Sequence, residues 1–92
     1  MSSATQAPST LAVEVRSKGD YGISTEAALA VKRADYFEAG TGVAWDVDPV
    51  ADLVRSYRAA TPYPPTVYGP GQIADTEPAV PGWLVPVDRI FG

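Results

Sequence analysis

The sequence predicts an α/β domain with the order β-α-β-β, followed by a proline-rich C-terminal extension. An alternating apolar run at 11–16, a capped helical pattern at 24–39 and two more alternating runs at 42–48 and 53–58 predict it. Strands joined by a helix are expected to be parallel neighbours. The short link between the second and third strands favours an antiparallel pair.

The first strand combines an apolar face with a single acidic residue. Leu11, Val13 and Val15 alternate with a second face on which Glu14 lies. Burying an unpaired carboxylate costs several kcal/mol. Glu14 is therefore expected either to face water or to bind a cation.

The helical pattern begins with Ser24 or Thr25 as a possible N-cap and ends at Gly40, a residue suited to the C′ position. Lys32 lies on one side of this helix, with Tyr36 one turn further on. The opposite side carries an apolar stripe made of Ala27, Ala30, Val31, Ala34 and Phe37. Two partly apolar faces indicate a helix that packs on a sheet and is covered by something else. Lys32 is expected either to reach water along the stem of Tyr36 or to approach Glu14.

The second strand is predicted to supply core and turn residues. Trp45 is interpreted as a core or interface residue, Asp46 as part of a solvated face and Asp48 as the residue that opens a turn. The extension holds most of the nine prolines, which favours an edge strand and loops. Trp83 is expected to anchor this segment by packing, and residues 86–91 to form a last helical turn.

Composition limits the chemistry that the chain can perform. Ninety-two residues allow one small domain, here expected at 11–92 after a loose leader at 1–10. Without cysteine or histidine there can be no disulfide, no thiolate or Ser-His nucleophile and no histidine metal site. The absence of a signal-like or membrane-spanning apolar run predicts a cytoplasmic protein with no membrane partner. A net charge of −4 argues against binding nucleic acid through bulk attraction.

Four segments together carry a family resemblance: AVEVRSKGDYG, KRADYFEAGTGVAWDVDP, VRSYRA and AVPGW…VDRIF. In this order they resemble the Uma family of restriction-type endonucleases, within the PD-(D/E)xK nuclease superfamily. The resemblance extends from Ala12 to Phe91. It implies a restriction-endonuclease-like half-core and hydrolysis of phosphodiester bonds in DNA with Mg²⁺ or Mn²⁺ as cofactor.

The resemblance also assigns roles to individual residues. Glu14 and the backbone carbonyl of Val15 would be metal ligands, with Glu14 and Lys32 as the catalytic residues. Arg16 occupies the position at which the superfamily normally has a lysine, and it would bind a phosphate. An arginine is effectively always protonated, so Arg16 could not act as a general base.

One family feature is missing from the sequence. The family has a metal-binding aspartate on an earlier strand, and no aspartate precedes Asp20 here. Asp20 could replace it as a metal ligand if its loop folds back, although a turn-forming role is the simpler interpretation. Two hypotheses follow: a truncated nuclease domain that needs its N-terminal half or a homo-oligomer, or an inactive fragment that serves as an interaction or structural module. A third, an unrelated small binding domain, would require the motif match to be chance.

Overall fold

The computed structural model describes residues 11–91. Its elements, in chain order, are β1 (Leu11–Val15), α1 (Ile23–Glu38), β2 (Val43–Asp48), β3 (Leu53–Arg58), β4 (Thr61–Tyr68), β5 (Ile73–Asp75), β6 (Leu84–Pro86) and α2 (Val87–Phe91). The predicted β-α-β-β core is confirmed, and each of its boundaries agrees with the sequence pattern to within one residue. The leader at 1–10 lies outside the described residues.

Four strands form one mixed sheet in the order β1-β2-β3-β4, and β5 pairs with β6 in a separate antiparallel ribbon. β1 and β2 are parallel, as predicted for strands that flank a helix, whereas β2, β3 and β4 are successively antiparallel. The parallel register places Glu14 beside Asp46. Paired residues point to the same face of a sheet, so both carboxylates lie on one face.

The opposite face of the sheet carries the hydrophobic core. Val43, Trp45 and Val47 of β2 are buried there together with Val54 of β3. The β5–β6 ribbon and α2 cover this face, and α2 contributes the fully buried Val87. Trp45 is 4% exposed, which confirms its core position. Trp83, which was expected to anchor the extension by packing, is 49% exposed and lies outside the core.

Of the two partly apolar sides of α1, the one that contains Leu29 and Tyr36 faces the sheet. On the other side Ala27, Ala30, Val31 and Ala34 are exposed and Phe37 is half-buried. Within the described part of the chain, no residue of α1 is fully buried. The reason for this orientation is electrostatic: the sheet presents charged residues on this face, and α1 supplies polar partners for them.

The ends of α1 differ in how well they follow the sequence pattern. Neither Ser24 nor Thr25 is the N-cap, which is Gly22 with φ 107° and no side-chain cap bond. That backbone conformation is essentially restricted to glycine. At the other end, Gly40 has φ 102°, and its N–H and that of the next residue donate to carbonyls of the last turn. The predicted glycine C′ position is therefore confirmed.

The proline-rich extension contributes one long edge strand. β4 pairs with β3 despite holding Pro62, Pro64 and Pro65. Proline lacks an N–H donor and is tolerated at a sheet edge, where one side of the strand has no partner. Neither α1 nor α2 is long and apolar enough to cross a membrane.

Candidate functional site

Glu14 and Lys32, which we call the Glu14–Lys32 pair, meet across the interface between β1 and α1. The Lys32 Nζ donates to Glu14 Oε1 at 3.1 Å, and the Tyr36 hydroxyl donates to Glu14 Oε2 at 2.5 Å. The Glu14 side chain is 30% exposed and that of Lys32 is 53% exposed. The predicted approach of these two residues is confirmed, and the pair remains accessible to a ligand from solvent.

The hydrogen bonds around Glu14 favour its charged form. The Tyr36 hydroxyl contributes most to holding the pKa of Glu14 below its ordinary value, and Lys32 adds to this effect against the opposing effect of burial. The Glu14 carboxylate in turn raises the pKa of Lys32 and that of Tyr36. At neutral pH, Glu14 is therefore an anion and Lys32 a cation.

Replacing Tyr36 by phenylalanine is expected to raise the pKa of Glu14 and to lower the stability at neutral pH by about 1 kcal/mol. The folded-state pKa of Glu14 lies below its unfolded value, so this contribution is present above the unfolded pKa and is lost as the pH falls through the folded pKa. The difference in stability between wild type and variant should therefore shrink in acid. Carboxyl NMR titration of Glu14 and urea unfolding at several pH values measure both effects.

The matched control for that measurement is Tyr63→Phe, because Tyr63 is 78% exposed on β4. Its unfolding free energy and the pKa of Glu14 should stay at the wild-type values. A Tyr36→Phe protein whose Glu14 titrates as in the wild type would show that the hydroxyl does not stabilise the carboxylate.

Arg16 lies directly after β1 and is buried at the centre of a charged cluster. Its Nε and Nη2 donate to the two carboxylate oxygens of Asp46 at 2.8 and 2.7 Å. Nη2 and Nη1 also donate to the carboxylate of Glu26, and Nη1 reaches the backbone carbonyl of Asp20 at 3.0 Å. All five N–H groups of the guanidinium are thus used within the chain.

These bonds bear on the role predicted for Arg16. Its side chain is only 3% exposed, and the carboxylate of Asp46, followed by that of Glu26, raises the pKa of the guanidinium. A phosphate would have to displace a carboxylate to reach this group. In this conformation Arg16 ties β1, β2 and α1 together and has no free donor for a phosphate.

The cluster continues along β2 and β3. Arg55 of β3 lies 3.6 Å from Asp46 and 3.2 Å from Asp48. Asp48 also accepts hydrogen bonds from the Tyr21 hydroxyl at 2.6 Å and from the Val50 and Ala51 N–H groups at 3.1 Å. Burial alone would raise the pKa of Asp48, but hydrogen bonds from Tyr21, Ala51 and Arg55 outweigh it and lower the pKa. Arg16, Glu26, Asp46, Asp48 and Arg55 together form what we call the Arg16 network.

Two predictions for β2 can now be judged. Asp48 does open the turn after β2, because it accepts hydrogen bonds from N–H groups of that turn. Asp46 was predicted to lie on a solvated face, and this is wrong: the residue is 3% exposed. It is buried because α1 covers this face and Arg16 supplies a compensating charge.

Asp20 behaves as a turn residue. Its carboxylate accepts hydrogen bonds from the backbone N–H and the hydroxyl of Ser17, both at 2.9 Å. These bonds lower the pKa of Asp20. The structure thus supports the simpler of the two interpretations, and it does not bring Asp20 into contact with Glu14.

The backbone of β1 gives the carbonyl of Val15 a defined direction. The N–H of Arg16 donates to the carbonyl of Val47 at 3.0 Å, so it points toward β2. Backbone groups of successive strand residues point to opposite edges, and the carbonyl of Val15 therefore faces the open edge of the sheet. Glu14 and this carbonyl are two oxygen donors on adjacent residues.

Those two donors do not complete a magnesium site by themselves. Mg²⁺ prefers six oxygen ligands in octahedral geometry and is usually held by one or two carboxylates with water and substrate. Among residues 11–91 no three acidic side chains are grouped closely enough to hold a metal ion. A further carboxylate would have to come from outside this part of the chain or from another molecule.

Sequence reasoning missed the partners of Arg16. Asp46 and Glu26 are separated from it by 30 and 10 positions in the chain, and no short motif links the three. The one available signal was the parallel register, since it pairs Glu14 with Asp46 and so puts Arg16, two positions after Glu14, on the same face as Asp46. Tyr36 was singled out only by its spacing from Lys32, and the structure shows it as a direct partner of Glu14.

Comparisons with known proteins support the fold. No protein-family model matches the chain, and no curated protein matches it. Among solved structures, the chain is similar to "a putative nuclease belonging to DUF820" from Anabaena variabilis ATCC 29413, with a TM-score of 0.64 and 18% identity. The similarity covers 89% of this chain and 43% of that chain. The chain thus spans less than half the length of this neighbour.

At that identity, the similarity shows the fold alone. It confirms the prediction of a restriction-endonuclease-like α/β half-core. Membership of the Uma family stays a prediction.

Proposed function

We propose that this chain carries part of a metal-dependent nuclease site that hydrolyses phosphodiester bonds in DNA. The observation that carries the proposal is the Glu14–Lys32 pair, an accessible carboxylate and ammonium 3.1 Å apart on the edge strand of a nuclease-like sheet. The nuclease named among the structural neighbours and the motifs of the Uma family favour the same reaction.

Each residue of the pair has a role that its chemistry allows. Glu14 and the Val15 carbonyl would hold Mg²⁺ or Mn²⁺, which supplies charge stabilisation and an acidified water when it is bound. Lys32 is protonated at neutral pH, so it suits the stabilisation of negative charge on a phosphate rather than the removal of a proton. Tyr36 would orient the Glu14 carboxylate.

The proposed site needs a second carboxylate. Among residues 11–91 the carboxylate that forms an ion pair with Lys32 is that of Glu14, and one carboxylate binds a hard cation weakly. The missing ligand would come from an additional N-terminal segment or from a partner. DNA as the substrate rests on the family resemblance.

A second candidate is an inactive fragment that serves as an interaction or structural module. The observation that favours it is the absence of a three-acid group within residues 11–91, together with an Arg16 whose donors are all used. The two candidates differ in whether Glu14 binds a cation at all.

Paramagnetic NMR with Mn²⁺ tests this difference without relying on catalysis. We expect Mn²⁺ to broaden the amide signals of Glu14 and Val15 first, and Glu14→Gln to abolish this effect. Glu38→Gln, at the exposed end of α1, is the matched control and should leave the broadening unchanged. Broadening that is strongest beside Asp52 and Asp88, which line a surface cleft of about 280 Å³, would contradict the proposal.

A further inference from the structure

The two edges of the four-stranded sheet differ in their capacity to pair with another strand. β4 contains three prolines, Pro62, Pro64 and Pro65, which cannot donate to a neighbouring strand. β1 contains none. Natural proteins usually protect a free edge with proline, lysine or a covering segment. Among residues 11–91 nothing pairs with the outer side of β1.

β1 presents both backbone and apolar side chains at this free edge. The N–H and C=O groups of Leu11, Val13 and Val15 point outward, because those of the alternate residues point toward β2. Val13 is 49% exposed and Val15 is 64% exposed. Glu14 is the only charged residue of the strand.

We propose that β1 pairs antiparallel with β1 of a second copy of this chain, about a two-fold axis at Val13. This register places Val13 opposite Val13 of the second copy and Leu11 opposite Val15. These are the residues whose backbone groups point outward, so each opposed pair can exchange two hydrogen bonds. The inference concerns the sheet edge and does not rest on the nuclease proposal: it uses the Val15 carbonyl as a hydrogen-bond acceptor, so this pairing and a metal at that carbonyl are alternatives.

The charge pattern selects this register over its neighbours. With the axis at Val13, Glu14 lies opposite Ala12 of the second copy. The hydrogen bond between Glu14 and Lys32 within each copy is then unchanged. Moving the axis to Glu14 would place two carboxylates directly opposite each other, which is destabilising. Moving it to Ala12 would leave Val15 without a partner in β1.

The strand is self-complementary, which is what a two-fold interface requires. Pairing about Val13 packs the two Val13 side chains against each other and each Val15 side chain against Leu11 of the second copy, on one face of the sheet. The contact is short, since five residues extend over about 17 Å. A standard interface buries about 800 Å² on each partner, so we expect a weak dimer that forms with rising concentration.

Sedimentation equilibrium of the full chain over a range of concentrations tests the proposal. We expect a monomer–dimer equilibrium that Val13→Lys shifts to monomer by at least tenfold in dissociation constant. Val67→Lys is the matched control, because Val67 is also 49% exposed but lies on the opposite edge strand, β4. A monomer at every concentration, or equal weakening by both variants, would overturn the proposal.

Cross-linking gives a second measurement for the case in which Val13→Lys fails to fold. The chain has no cysteine, so Val13→Cys introduces a single thiol. Paired residues with exchanged hydrogen bonds have Cα atoms about 5.5 Å apart, a separation that a disulfide can bridge. We expect mild oxidation to link Val13→Cys chains at least tenfold faster than Val67→Cys chains. Equal rates would overturn the proposal.

Discussion

Replacing Asp46 by asparagine is expected to lower the free energy of unfolding by about 3 kcal/mol. The Asp46 side chain is 5% exposed and binds Arg16, itself 3% exposed, through two oxygens. Breaking a buried ion pair leaves the remaining charge without compensation, and this costs about 3–5 kcal/mol. The lower value applies here because Glu26 still contacts Arg16. A domain of this size has about 5–10 kcal/mol of stability in total.

Urea unfolding measures this loss, provided that the slope with denaturant is unchanged. Asp35→Asn makes the same chemical change at an exposed position of α1 and should alter stability by less than about 0.5 kcal/mol. Arg16→Lys should also lower the free energy of unfolding, because lysine cannot contact both carboxylate oxygens of Asp46 as arginine does. An Asp46→Asn protein as stable as the Asp35→Asn protein would show that the Arg16 network does not stabilise the fold.

The isolated chain is expected to show no, or barely detectable, nuclease activity with Mg²⁺ or Mn²⁺. A site that lacks one charged ligand should lose several kcal/mol of metal and transition-state stabilisation. Each 1.4 kcal/mol is about tenfold in rate, so cleavage should be about a thousandfold slower than at a complete site. Titrating the metal in assays on plasmid and single-stranded DNA measures the residual rate.

Any residual cleavage should depend on the Glu14–Lys32 pair. Glu14→Gln and Lys32→Ala should abolish it, whereas Glu38→Gln and Lys18→Ala, which change exposed residues of the same types, should not. Rapid cleavage by the wild type that only the first two variants abolish would contradict the expected inactivity. It would then identify a complete nuclease site, with the second carboxylate supplied by Asp20 or by a second copy.

The sequence was sufficient for the core of the fold because each element carried a strong local pattern. Alternation defined β1, β2 and β3, and a glycine at the C′ position ended α1 where expected. The two partly apolar faces of α1 left open which of them meets the sheet, because hydrophobicity alone cannot show it. The charged residues of the sheet set the orientation of α1. Their grouping depends on the pairing of β1 with β2, which brings Glu14 and Arg16 close to Asp46.

The candidate site was partly predictable for a related reason. A lone glutamate in an apolar strand requires a partner, and Lys32 was correctly expected to approach it. The burial of Asp46 was not predictable, since an aspartate in an alternating strand ordinarily faces water. Its environment depends on Arg16 and Glu26, which lie on other elements.

The lack of any buried residue in α1 has a consequence for how the molecule opens. Segments with few buried apolar contacts can separate from a protein as independent cooperative units, at a lower free energy than global unfolding. α1 is such a segment, whereas β2 and β3 are fixed in the core. We therefore expect α1 to detach at a lower free energy than the strands separate, and Lys32 and Tyr36 then leave Glu14. The contact between Glu14 and Lys32 is therefore expected to break at a lower free energy than the strand pairing of the sheet.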